Sequence, residues 1–243
     1  VRFCASHIIP PRTPPQFYDR LLSIPIDPFD LLSSLNVLPQ VMDQSKDKLT
    51  GFCSFRKIVV RDRPEVVPSG DWVIRPDEIA TVPGVEATPR PSHDFLVSRP
   101  LNFIVGDQYA ACCHIGDLFA YLELAVEIGF LHYTETAPLL SSTRFVQGGI
   151  EQGVYPTDFI LPLYEKVMAL SHEFVARHGK RILGYDSLNR RALPYLAERI
   201  ESYWLLKELD RRYGQIPEEV FGILLDVELP GQKFEPARAT SMP

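Results

Sequence analysis

The chain has 243 residues, with 25 Lys and Arg against 31 Asp and Glu, a formal charge of −6. It is 45% hydrophobic and 23% charged, too apolar for a disordered segment and long enough to bury a core without disulfide staples. The acidic balance argues against a nucleic-acid binder, which needs a net basic face, and no run reaches the ~18 apolar residues of a membrane span.

Val1–Ile9 reads as a short apolar strand closed by Pro10-Pro11, with Ser6 and His7 at its exit. It lacks the basic start and long apolar run of a signal peptide. The spacing of Phe17, Leu21 and Leu22 predicts a helix over Pro15–Ser23, and a second helical pattern spans Asp30–Met42. Leu49–Val60 (LTGFCSFRKIVV) reads as one aromatic and β-branched strand with Arg56 and Lys57 embedded in it. Two adjacent cations there either snorkel to solvent at the strand's end or serve a ligand.

Arg61–Pro100 carries many of the chain's 22 prolines and little periodicity, so it reads as strands and loops over one face. Leu101–Val105 is expected as a strand. Ile115–Ile128 is an amphipathic helix ended by Gly129,. Ser141–Gly153 is a glycine-containing loop, expected to act as a mobile lid. Val154–Leu161 reads as a short strand, and Pro162–His178 as a helix with Pro at its start. Leu188–Tyr213 is a third helix, Ile216–Leu225 a short fourth, and a tail follows Pro230. Strands first and long helices later suggest an α/β fold with a mixed sheet.

The four cysteines, Cys4, Cys53, Cys112 and Cys113, form no C-x-x-C pair. They read as free thiols of a reducing, cytoplasmic compartment. The first residue is not Met, which fits a domain of a longer protein. The sequence has no G-x-G-x-x-G, no phosphate-loop lysine motif, no G-x-S-x-G, no H-E-x-x-H and no D-x-D, so the common nucleotide, hydrolase and metal-phosphate motifs give no support.

Several segments together carry a resemblance: GFCSFRKIVV (Gly51–Val60), QYAACCHIGDLFAYLELAVE (Gln108–Glu127), VYPTDFILPLYEKV (Val154–Val167) and PYLAERIESYWLL (Pro194–Leu206). Their order and spacing resemble the glycosyltransferase-like family known as domain of unknown function 4422, found in capsular and exopolysaccharide gene clusters. That family carries a G-L-C-H-Y-R-R-Y-F strand, a Y-x-x-x-H-x-x-x-D-L segment, an N-M-F-I-M strand and an A-E-R-L helix. Here Ser54, Phe55, Lys57 and Thr157 replace its His, Tyr, second Arg and Asn, so the chain looks like a divergent member.

The resemblance implies a GT-A-like fold, a Rossmann-like mixed sheet flanked by helices with a helical C-terminal portion. It implies one domain over residues 1–213, with a short helix and tail or linker over 214–243. It implies transfer of a sugar from a nucleotide-activated donor to a glycan or lipid-linked saccharide acceptor, in the cytoplasm or at the inner membrane face. A divalent cation, Mn or Mg, is an option without D-x-D ligands. In its place Arg56, with Lys57 second, would meet the negative charge of the leaving diphosphate.

The remaining candidates each have a bland reading beside the functional one. Asp117 and His114 form a base and its orienter, or Asp117 compensates a helix dipole. Asp158 interrupts an apolar run as a catalytic or acceptor-binding acid, or caps a helix. Ser6, His7, Asp107, Glu198 and Arg199 are candidates for the nucleotide sugar, or ordinary loop and helix polar residues. Tyr203 and Trp204 read as core. Two other readings stay open: a non-catalytic glycan- or partner-binding module, and a metal-dependent hydrolase using His7, His93, Asp94, His114 and Asp117.

Overall fold

A computed structural model describes residues 1–6, 11–13, 15–24, 28–29, 41–42, 46–54, 56–62, 73–74, 85–187 and 189–227. The fold is mixed α/β. Strands β1 (Arg2–Ser6), β2 (Arg20–Ser23), β3 (Leu49–Ser54), β4 (Lys57–Val60), β5 (Val73–Ile74), β6 (Leu96–Ser98), β9 (Gly153–Pro156) and β10 (Phe221–Val227) form the main sheet. Its path is β2-β1-β3-β9-β6-β10-β4, with β5 also paired to β10. Strands β7 (Leu101–Asn102) and β8 (Arg144–Phe145) make a separate two-stranded ribbon.

Direction matters for function. Strands β2, β1 and β3 are mutually parallel. Strand β9 runs antiparallel to both β3 and β6, so β6, and β10 parallel to it, point the same way as β1. With β5 parallel to β10, six strands point the same way, and their carboxyl ends are the usual place for ligands in open α/β sheets.

One face of the sheet is covered by helices α2 (Ile115–Glu127), α4 (Thr157–Leu183) and α5 (Ala192–Tyr213). Helices α1 (Val105–Cys112) and α3 (Thr136–Leu140) lie beside them. The helices bury Leu118, Tyr121, Ile160, Val167, Phe174, Leu196 and Ile200. The Phe52 ring of β3 stacks on Tyr164 of α4 at 5.7 Å, and the buried Phe95 meets Tyr155 edge-on. On the other side Cys4, Cys53, Ile58, Val60, Leu225 and Val227 form a smaller core. Cys4 and Cys53 are buried free thiols, as small apolar residues in a strand should be. No helix among the described residues is long and apolar enough to cross a membrane.

Several expected elements change. Pro15–Phe17 is a 3-10 turn and Arg20–Ser23 a strand, because the parallel ladder with β1 overrides a weak helical period. Leu49–Val60 is two strands, broken by the turn before Lys57. The strand expected over Leu101–Val105 ends at Asn102, and a helix missed from the sequence starts at Val105. Helix α4 begins at Thr157, not Pro162. Thr157 anchors that start by donating to the Asp47 carbonyl at 2.7 Å, and Pro162 sits in the second turn, forgoing one backbone bond. The helix expected over Ile216–Leu225 is a 3-10 turn followed by β10. A strand of the main sheet therefore follows residue 213, where a boundary was expected. The helix expected over Asp30–Met42 lies mostly outside the described residues.

Candidate functional site

Ser6, Ser54, Arg56 and Lys57 all gather at the carboxyl edge of the parallel strands. Ser6 ends β1, is fully buried, and accepts from the Ile24 N–H at 3.0 Å. Ser54 is held twice: its carbonyl accepts from the Thr13 hydroxyl at 2.7 Å and its hydroxyl from the Lys57 N–H at 3.1 Å. Arg56 occupies the turn. Its Nε lies 3.8 Å from the Asp226 Oδ1 of β10, and its carbonyl accepts from Val227. Lys57 sits opposite Asp226 in the β4–β10 ladder. Both cations thus lie at the carboxyl edge beside Asp226. His7 lies outside the described residues.

The loop Val146–Gln152 covers the same edge beside β6. The Ser98 hydroxyl at the end of β6 donates to the Gln147 carbonyl at 2.6 Å. Helix α5 receives the loop's backbone donors on one face. The N–H of Val146 donates to Ser202 Oγ at 2.7 Å, that of Gly148 to Glu198 Oε1 at 2.6 Å, and that of Ile150 to Glu201 Oε2 at 3.2 Å. Glu198 and Glu201 are three apart, so one helix face presents both carboxylates. Three backbone hydrogen bonds thus join the loop to the helix.

Glu201 is 2% exposed. Burial pushes its carboxyl well above the ordinary carboxylate range, Glu151 and Glu198 push it further, and the Ile150 N–H opposes them. Arg199 is buried between aromatic rings. Its guanidinium lies 5.1 Å from the Tyr109 centroid and 5.0 Å from that of Phe145. It donates to Gln108 Oε1, to the Tyr195 carbonyl at 2.8 Å and to Glu198 Oε2 at 3.3 Å. Arg199 therefore serves as a brace between α5 and α1. Asp107 is exposed in the first turn of α1.

His114 and Asp117 are brought together, though not side chain to side chain. His114 precedes α2, and its carbonyl accepts the Asp117 N–H at 2.9 Å. Its ring lies 4.5 Å from that of Tyr185, whose hydroxyl donates to Asp117 Oδ1 at 3.4 Å. Asp117 is 2% exposed and ion-paired with Arg181 of α4. An exposed histidine thus stands over a tyrosine whose hydroxyl meets a buried carboxylate. Arg199 and Asp117 both act electrostatically on the Cys113 thiol and the Tyr109 hydroxyl, so the two groups flank the α1–α2 junction.

Asp158 does not join them. It follows β9, which runs toward the amino ends of the parallel strands, so it sits at the opposite edge of the sheet. Its side chain is 82% exposed, 3.7 Å from Arg212.

Sequence reasoning missed Glu201, Arg181, Tyr185 and Gln108. Glu201 had a readable signal, a second acid three residues after Glu198. The others follow from tertiary contacts: Gln108 with Arg199 of α5, and Arg181 and Tyr185 with Asp117 of α2. Among the described residues no group of three His, Cys, Asp or Glu side chains could hold a metal ion.

No protein-family model matches the chain, and no curated protein matches it. Among solved structures it matches the apo structure of WbbM, a bifunctional glycosyltransferase, with a TM-score of 0.63 and 14% identity. The fold resembles that of a glycosyltransferase. The likeness covers 94% of this chain and 44% of that protein, so the chain spans less than half of its neighbour's length.

Proposed function

We propose that this chain is a glycosyltransferase-like domain, a divergent member of the domain of unknown function 4422 family. In this reading it transfers a sugar from a nucleotide-activated donor to a glycan or lipid-linked acceptor. The observation that supports it is the extent of the fold likeness, 94% of the chain at a TM-score of 0.63. Fold likeness alone is an analogy, so the chemistry has to come from the residues.

The donor diphosphate would lie at the carboxyl edge, over Ser54 and the Arg56–Lys57 turn. Arg56 and Lys57 both lie beside Asp226, and together they would offer charge-assisted hydrogen bonds to the leaving group. His114 acts as the base toward the acceptor hydroxyl, with Tyr185 and Asp117 positioning its ring. Glu198 fixes the Gly148–Gly149 loop against the sugar. A second reading, a non-catalytic glycan-binding module, draws on Glu198, Glu201 and Arg199 being engaged by structural partners.

The test is release of nucleoside diphosphate from UDP-, GDP- and dTDP-sugars in the presence of saccharide acceptors, with and without Mn²⁺. Turnover that falls tenfold or more in His114→Ala, with KM little changed, supports the transferase. Binding without turnover for every donor supports the module.

A further inference from the structure

Beside the Glu198 group an open cleft of about 430 Å³ lies between the Ser141–Arg144 segment and helix α5. Its volume is in the range of small-molecule sites. Two links join it to the candidate site. Arg144 is two residues before Val146, whose N–H is fixed to Ser202. Tyr203 and Lys207 follow Glu198 by five and nine residues on α5, placing them about 8 and 14 Å further along the helix axis.

The lining is built for hydroxyl groups. Thr143 offers a hydroxyl, Tyr203 a ring edge and hydroxyl, and Asp210 a carboxylate. Arg144 is half-buried, its guanidinium lying 5.8 Å from the Phe221 centroid, and it makes no ion pair with a described residue. Lys207 is paired with Glu135 and lies 5.9 Å from the Tyr203 centroid. The charged residues that line the cleft are Arg144, Lys207 and Asp210, and Lys207 is neutralised by Glu135, which lies outside the lining. That leaves Arg144 and Asp210, a strong donor and a strong acceptor of opposite charge, in the same cleft. A phosphate or uronic acid would meet Asp210 as a like charge. A neutral sugar, each hydroxyl both donor and acceptor, satisfies both signs.

We infer that this cleft holds a neutral saccharide unit of the acceptor. The inference deepens the transferase reading and rests on it for the word acceptor, while the binding itself can be measured independently.

The experiment is saturation-transfer NMR on the 243-residue chain. The probes are a panel of neutral methyl hexosides and pentosides, with glucuronate, inorganic phosphate and glycerol as controls. At least one neutral glycoside is expected to bind, glucuronate and phosphate at least tenfold more weakly. Asp210→Asn and Arg144→Gln are each expected to weaken that glycoside tenfold or more, since each removes a hydrogen bond to a charged group. Thr143→Val, an exposed and near-isosteric change, is expected to weaken it several-fold and serves if Arg144→Gln disturbs the fold. No binding by any neutral glycoside, equal binding of glucuronate, or binding untouched by the variants would overturn the inference. UDP, GDP and dTDP are titrated in the same preparation. Sugar binding without nucleotide binding would count against the transferase reading and leave the cleft standing; nucleotide binding without sugar binding would do the reverse.

Discussion

Gly149 lies directly against the Glu201 carboxylate. Its φ is +51°, and a Cβ at that position would overlap Glu201 Oε2. Gly148 before it has φ +84° and would meet Gln152. Only glycine takes these two turns at little cost. Gly149→Ala is therefore expected to cost at least ~1–2 kcal/mol from the backbone alone, and more from displacing Glu201. For a chain of this size each kcal/mol lowers Tm by roughly 2–4 °C, so a melting curve reads the effect directly.

Glu201 gives a pH-dependent prediction. Its folded carboxyl titrates well above the ordinary range because burial, Glu151 and Glu198 disfavour the charged form. The folded state then binds more protons than the unfolded state, and stability contributed by this group falls as pH rises above the unfolded carboxyl value. Glu201→Gln keeps an acceptor for the Ile150 N–H and removes the penalty. The variant is expected to gain on the native protein as pH is raised, with the gap closing toward acid. Denaturant melts at several pH values check the sign. Glu201→Ala, which leaves that N–H unpaired, is expected to lose about 1–3 kcal/mol.

Asp117 and Asp158 should behave oppositely. Asp158 is 82% exposed with a loose pairing to Arg212, so Asp158→Asn is expected to change stability by no more than ~0.5 kcal/mol. It should leave turnover intact. Asp117 is buried and paired to an Arg181 side chain that is 45% exposed. Asp117→Asn is expected to cost about 1–2 kcal/mol, discounted because Arg181 can rehydrate. It should also reduce turnover by loosening Tyr185 under His114. Parallel melts and initial rates on the two variants make the comparison.

Arg199→Lys tests the brace between α5 and α1. The guanidinium bonds Gln108 and Tyr195 and packs on two rings, which an ammonium cannot reproduce. A loss of about 2–3 kcal/mol is expected in denaturant unfolding.

The strands and helices with strong local signals were legible. Of the strand expected over Val1–Ile9, Arg2–Ser6 is β1 and residues 7–9 lie outside the described residues, while the apolar period over Ile115–Ile128 gives α2. Elements decided by long-range pairing were not. The Arg20–Ser23 strand exists through its ladder with β1, and Phe221–Val227 through ladders with β4 and β6. For the candidate site, the sequence pointed to Glu198, Arg199, His114 and Asp117, which the fold assembles around the α1–α2 junction and α5. It also pointed to Asp158, which a single antiparallel strand carries to the far edge. Strand direction is a property of the sheet, and no local pattern encodes it. Arg181 and Tyr185 escaped notice because their link to Asp117 spans 64 and 68 residues.

The most direct test of the account is a thermal-shift titration of the chain with UDP, GDP and dTDP, with and without Mn²⁺, on the native protein and on Lys57→Ala. Ligand at about 100 times its dissociation constant adds about 2.7 kcal/mol, a shift of several degrees. The account predicts that one nucleotide raises Tm in the native protein and that Lys57→Ala abolishes most of the rise. No shift with any nucleotide, or a shift that Lys57→Ala leaves unchanged, would contradict a donor site at the carboxyl edge.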